Sequence, residues 1–595
     1  MSRYNVCKKK YKHYSSTLYY LNTYISTVQI YQCASIMGIP SYFSHIIHKH
    51  AKIVCTYANI IQQNIQFNRL YMDCNSILYD SYHSTDMSLP VEQFRNTIIV
   101  KTIAKIQLYI KQISPNSLVY IAFDGVAPMA KMEQQRTRRY KSWFETSMNR
   151  TIDPPKEPID LEKTSCMFTP GTEFMKQLSI FVRKEFEKKE KEYGVRKIIV
   201  ATPDEPGEGE HKLYAHIREN PCTTETSVIY GLDADLLMLS LLNLRFCPQM
   251  YVFREAPQFA SLKLNHKHAA DEPLFLDIAK MGRSIAQSMH CKAPDSHRLL
   301  DYVFICFFLG NDFLPHFPSM NIRTHGIQAL LDVYRNTVGN KPEQFLLSKC
   351  TGSTTFPQIE WKTLSRFIQE LAKHEHGWII QEYAVRKKWD HKSVDLQPKK
   401  TVKEKLELFT NTPIFYRATE KAIAPHESKW QTRYYELLFP ENTSVLSICK
   451  SYLEGLEWVT QYYFHGKTHW NYYYPYHYPP LLEDLAPKVP QYPCGFLSKD
   501  STTRPLHPYS QLSYVLPPIY HFLLPTELST LLARQYSECY VGTINEDGLP
   551  TLHFQWSFCR YFWECHVELP TISSAVLQDI DRVSYKIDSI NINSR

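Results

Sequence analysis

The chain has 595 residues, 44% hydrophobic and 21% charged, with a formal net charge of +8 from 67 Lys and Arg against 59 Asp and Glu. That balance describes a globular protein with a sizeable core, too long for one ordinary domain, and excludes a disordered or fibrous chain. Fifteen cysteines, an odd number with no Cys-x-x-Cys pair, argue against a disulfide framework or a thiolate zinc site and for a reducing compartment; no run approaches the roughly 18 apolar residues of a membrane span.

Residues 1–36 start Lys-rich (Lys8, Lys9, Lys10) and continue rich in Tyr, Ser and Thr. They read as a disordered extension or a non-native start. Few glycines (18) and many tyrosines (41) are what AT-rich codons give, as in a viral or parasite genome. From 37 to about 250, short apolar runs alternate with helical patterns. The runs 68–72, 117–123, 197–201 and 227–230 read as buried strands, and 91–111 and 172–192 as helices. This alternation predicts an α/β fold with a mainly parallel central sheet flanked by helices. In such sheets the site lies beyond the carboxyl ends of the strands. Residues 285–345 read as helical, broken at Gly310, Asn311 and Asp312. A charged, partly helical linker follows over 346–429, with Lys399, Lys400, Lys403 and Lys405 clustered in it. A second region, 430–570, opens with a helix over 445–461 and runs into HWNYYYPYHYPPLL; 571–595 reads as a short tail.

Seven acids sit in short polar breaks after apolar runs: Asp73, Asp124, Glu208, Glu210, Asp233, Asp235 and Asp312. Each alone fits a helix cap or a turn. Together they fall on one rim of the sheet, and carboxylates brought that close raise one another's pKa unless cations neutralise them. Hard divalent ions bound through oxygen are the usual remedy, and two such ions clamp the attacking and leaving oxygens of a phosphodiester. The stretch 131–141 carries five positive charges and one negative. If helical, it puts Lys131, Gln135, Arg138 and Arg139 on one face, a set of charges and directed donors suited to a terminal phosphate. Trp470 and the tyrosines after it could stack on bases, although such rings are more often core or Pro-rich packing.

These residues resemble the XRN family of 5′→3′ exoribonucleases. The matching stretches are MGIPSYF (37–43), LYMDCNSIL (70–78), AFDGVAPMAKMEQQRTRR (122–139), FTPGTEF (168–174), PGEGEHK (206–212), YGLDADLLMLSL (230–241) and LGNDFLPH (309–316), then YLEGLEWV (452–459), YYPYHYPP (473–480) and SYVLPP (513–518). The resemblance implies a PIN/flap-nuclease-like nuclease region at 37–345, with the second conserved region packed on it. It implies a monomer that processively degrades single-stranded RNA from a 5′-monophosphate and releases 5′-mononucleotides. The seven acids would hold two Mg²⁺, with Mn²⁺ as an alternative, and Lys131, Gln135, Arg138 and Arg139 would hold the 5′-phosphate. Tyr79 stands where the family has a stacking His, and Tyr472 where it has the second Trp of a Trp-x-Trp; Tyr79 and Trp470 would stack on bases. The chain stops soon after the second region, so either the core is self-sufficient or an activating protein partner substitutes. A cytoplasmic site of action is expected, with the nucleus as the alternative. The competing readings are a 5′ flap or exonuclease acting on DNA and an inactive RNA-binding scaffold.

Overall fold

A computed structural model of the protein describes Ile39 and residues 41–154, 160–255, 273–292, 295–349, 356–390, 401–466, 468–497, 504–542, 544–545 and 549–593. The expected extension at 1–36, with Lys399 and Lys400, lies outside the described residues.

Seven strands form one sheet: β1 (Val54–Thr56), β2 (Arg69–Asp73), β3 (Leu118–Ala122), β4 (Lys197–Ala201), β5 (Ser227–Tyr230), β6 (Met250–Glu255) and β7 (Pro273–Asp277). Their order is β1-β7-β6-β5-β2-β3-β4. Strands β4, β3, β2, β5 and β6 are parallel, and β7 runs against both of its neighbours. The chain winds outward from β2 through β3 to β4, and in the opposite direction from β5 to β6. The order therefore reverses between β2 and β5, which opens a crevice at their carboxyl ends.

The helices that build the site, in chain order, are α1 (Asn75–His83), α2 (Val91–Ile113), α3 (Met129–Ile152), α4 (Glu173–Phe186), α5 (Gly209–Glu219), α6 (Asp235–Asn243), α7 (Arg298–Cys306), α8 (Trp361–Lys387), α9 (Val445–Thr460), α10 (Pro508–Val515) and α11 (Ser574–Asn593). Every residue of β3, LVYIA, is buried, as a parallel strand covered on both faces requires. Successive residues alternate between two cores. Leu70, Met72, Val119 and Ile121 pack under α2 and α4, whereas Tyr71, Tyr120, Ile229 and Val252 pack under α5, α6, α7 and α9.

Helix α3 is the joint between the two halves. Its Met129, Met132, Tyr140 and Trp143 enter a third core with Leu512, Tyr514 and Val515 of α10 and Ile580 and Ile587 of α11. The segment read as a short tail is thus a packed helix. Asp581 of α11 accepts from the His507 backbone N–H (2.8 Å) and the Ser510 hydroxyl (2.7 Å), pinning the start of α10. Among the described residues no helix is long and apolar enough to cross a membrane.

Candidate active site

All seven acids arrive at the crevice. Asp73 ends β2, and Asp124 lies just past β3. Glu208 stands at the N-terminal boundary of α5 without capping it, and Glu210 is in its first turn. Asp233 follows β5, and Asp235 opens α6. Two backbone devices bring the rest close. Gly209 donates its N–H to Asp124 Oδ1 at 2.6 Å, and a Cβ there would sit 2.9 Å from Asp73 Oδ1, so a side chain would fill the space the carboxylates share. The corner carrying Asp312 turns at Gly310, whose φ of +84° suits glycine alone among common residues. Asn311 Oδ1 then accepts the N–H groups of Phe313 (2.9 Å) and Leu314 (2.8 Å), closing an Asx turn around Asp312.

Burial and mutual repulsion govern the charges. Burial, then the Asp124 and Asp233 charges, push Asp73 well above the usual carboxylate range. Burial, then Glu208, raise both Asp124 and Glu210. Asp233 is pushed up to about 6, chiefly by burial, and Asp235 to about 7, by burial and then Asp312. The Lys131 ammonium lies inside the cluster, 2.7 Å from Glu208 Oε2 and 2.8 Å from Asp312 Oδ2. Lys212 Nζ donates instead to the Phe123 and Thr202 carbonyls (2.8 and 3.2 Å), tying the ends of β3 and β4. Seven carboxylates against these two ammonium groups remain strongly under-neutralised.

The second region closes the site with two residues that sequence reasoning missed. Tyr462 donates to Glu208 Oε1 at 2.6 Å and Tyr463 to Asp235 Oδ2 at 2.7 Å. Both lie in a π-helical turn, Gln461–His465, that ends α9. Consecutive phenols both reach acids because the helix widens there, and such turns recur at functional sites. A column of rings backs them. Tyr472 stacks on Trp458 (5.6 Å between centroids) and Trp458 on Tyr462 (4.8 Å), and Tyr462 meets His211 at a tilt (3.8 Å, 32°). Of the two readings of the aromatic stretch, the tyrosines take core packing: Tyr474 and Tyr478 are 9% and 3% exposed, and Tyr472 packs within the column.

Helix α3 does present Lys131, Gln135, Arg138 and Arg139 on one side, but they differ in role. Lys131 touches acids, as above. Gln135 is buried, and its side-chain carbonyl accepts from Gln511 of α10 (3.1 Å). Arg138 is half-buried and close enough to Asp233 to lower its pKa. The intervening Arg136 is structural: it lies 2% exposed and donates to the Pro570 and Cys539 carbonyls.

A sequence profile of the family described as "XRN 5'-3' exonuclease N-terminus" matches residues 37–256, and one described as "Xrn1 helical domain" matches 294–421 and 418–585. The chain belongs to the XRN family. It is 26% identical to "5'-3' exoribonuclease 2 homolog" of Drosophila melanogaster over 81% of this chain and 64% of the relative. It is 26% identical to "5'-3' exoribonuclease 1" of Saccharomyces cerevisiae (84% and 40%) and 27% identical to that of Homo sapiens (84% and 32%). The chain therefore spans less than two thirds of the length of these curated relatives.

Within this XRN core, Tyr79 lies on α1, its ring half-buried and edge-on to Phe168 (5.2 Å, 87°). Trp470 is half-buried, and its carbonyl accepts the Met129 N–H (2.8 Å) at the start of α3. The donor set fits hard divalent cations: it is all oxygen, and Glu210 Oε2 is the one buried carboxylate oxygen among the described residues with no hydrogen-bond donor. Among the described residues no three carboxylates, imidazoles or thiols are already drawn together in metal-holding geometry. The Lys131 ammonium stands between Glu208 and Asp312 as the local cation.

Proposed function

We propose that the protein degrades single-stranded RNA from a 5′-monophosphate end, releasing 5′-mononucleotides in succession, with two divalent ions held by Asp73, Asp124, Glu208, Glu210, Asp233, Asp235 and Asp312. One observation carries this reading: helix α3 runs from the acid cluster at Lys131 to the Gln135, Arg138 and Arg139 face. Seven residues of helix rise about 10 Å. A terminal phosphate at Arg138 and Arg139 would lie within that reach of the acids, a span suited to releasing single nucleotides. The names of the relatives support RNA as the polymer and 5′→3′ as the direction.

When bound, divalent ions supply Lewis-acid stabilisation of the phosphodiester oxygens and a more acidic water. The chain's own groups do the rest. Tyr462 and Tyr463 hold Glu208 and Asp235 in place. Lys131 neutralises Glu208 and Asp312 here; relieved of that task, its ammonium is free for the 5′-phosphate. Arg138 and Arg139 add charge and directed donors, and Tyr79 and Trp470 offer ring faces to bases.

The test is the double variant Arg138→Ala with Arg139→Ala. It should shrink the preference for 5′-monophosphate over 5′-hydroxyl RNA by on the order of tenfold or more, since each hydrogen bond to a charged group contributes about 1.5–3 kcal/mol. An unchanged preference, measured as the ratio of kcat/KM values, would remove the pocket from this reading.

A further inference from the structure

Gln511 is fully buried on α10, far in sequence from the residues it touches. Its Oε1 accepts the Ala127 backbone N–H at 2.8 Å, and its Nε2 donates to Gln135 Oε1 at 3.1 Å. Chemistry alone fixes these orientations. A backbone N–H can only donate, so the Gln511 atom facing Ala127 must be the carbonyl oxygen. Its NH₂ then faces Gln135, and the Gln135 atom opposite must in turn be its carbonyl. What Gln135 has left for a ligand is its NH₂ group. An amide flip at Gln135, nearly free of cost in an isolated side chain, would instead set two NH₂ groups against each other.

We infer that Gln511 is a positioning residue for the RNA 5′ end: it holds the Gln135 amide with the donor end toward the terminal phosphate. The inference rests on the 5′-phosphate reading of α3 given above. Gln511 is itself held rigidly. Asp581 of α11 accepts from His507 and Ser510 at the start of α10, and Leu512, Tyr514 and Val515 beside it are core. A buried amide is costly unless both ends are satisfied, and here both bonds go to the chain around the pocket. The second region, and through it the C-terminal helix α11, thereby acts on end selection without touching RNA.

The experiment is a double-mutant cycle on Gln511→Met and Gln135→Ala, read as the ratio of kcat/KM for 5′-monophosphate over 5′-hydroxyl RNA. Gln511→Met should lower that ratio about tenfold, near the lower end for a hydrogen bond to a charged group, through loss on the phosphorylated substrate. In the Gln135→Ala background the same change should do nothing further, because the residue it acts through is gone. Gln511→Glu is the second variant. Ionised, its carboxylate still accepts from Ala127 but cannot donate to Gln135, so it should lose the preference at high pH and recover it where burial keeps the acid protonated and its O–H donates to Gln135. Equal loss on both substrates, or independent effects that add in the cycle, would overturn the inference and leave Gln511 as scaffold. If Gln135→Ala alone leaves the ratio intact, the phosphate-pocket reading fails and this inference falls with it.

Discussion

Replacing Asp124 with asparagine should cut nucleotide release by at least about a hundredfold, the lower edge of what losing one electrostatic group at a reacting centre costs. The shape is preserved: Gly209 N–H, which now meets Asp124 Oδ1 at 2.6 Å, keeps an oxygen to donate to. What disappears is one negative charge among seven. In EDTA the variant should also melt above the wild type, because burial and Glu208 already disfavour the Asp124 charge. Loss of activity with a raised melting temperature is the signature of a site built for cations. A variant that is less stable and inactive would mark Asp124 as a structural residue.

Withdrawing divalent ions should turn the site against the fold, with a defined pH dependence. Asp233 and Asp235, pushed up to about 6 and about 7, bind protons in the native state that the unfolded chain has already lost. Stability from these groups is full below pH 4 and is lost as pH rises through 6 and 7. Buried histidines work the other way. His316 and His477, held down to about 4 by burial, add stability as pH rises toward 6.5 and nothing beyond it. Between pH 6.5 and 8 these histidines no longer contribute; Glu145, Asp301 and Glu375, raised by burial to about 7, 7 and 8, add to the fall, and Lys212, lowered by burial to about 8, opposes part of it. In EDTA the melting temperature should fall across that window, with roughly 1 kcal/mol from Asp235 by itself, and millimolar Mg²⁺ should make the slope shallower by the share of the site acids. A flat or rising melting temperature in EDTA would contradict the crowding of charge described here.

Much of the sheet was legible because its inner strands are apolar on both faces. The runs 197–201 and 227–230 coincide with β4 and β5, and 68–72 and 117–123 fall within a residue of β2 and β3. The outer strands were missed for physical reasons. Strand β1 has three residues, too few for an alternating pattern to register. Strand β6 ends in Arg254 and Glu255, which broke its apolar run. Both side chains find internal partners: Arg254 donates to the Leu232 carbonyl (2.9 Å) and lies over the Phe43 ring at 4.1 Å, and Glu255 pairs with Lys105 at 2.9 Å.

The acids and the basic helix were legible for a different reason: their spacing and their places at strand ends carry a chemical message. The tyrosines of the π turn were not. QYYFH continues an apolar helix, and nothing in it announces a wider turn that sends two adjacent phenols to Glu208 and Asp235. Gln511 carries no signal either, since its meaning lies in two bonds to residues hundreds of positions away. The aromatic stretch left two readings open because rings suited to bases are equally suited to a core, and Tyr474 and Tyr478 went inside.

The most direct test of the central claim is a time course on one single-stranded RNA bearing a 5′-monophosphate, a 5′-triphosphate or a 5′-hydroxyl, in Mg²⁺ and in EDTA. 5′-Mononucleotides should be released from the monophosphate form, with little from the other two and none in EDTA. Equal decay of all three ends, or release that persists in EDTA, would contradict that claim.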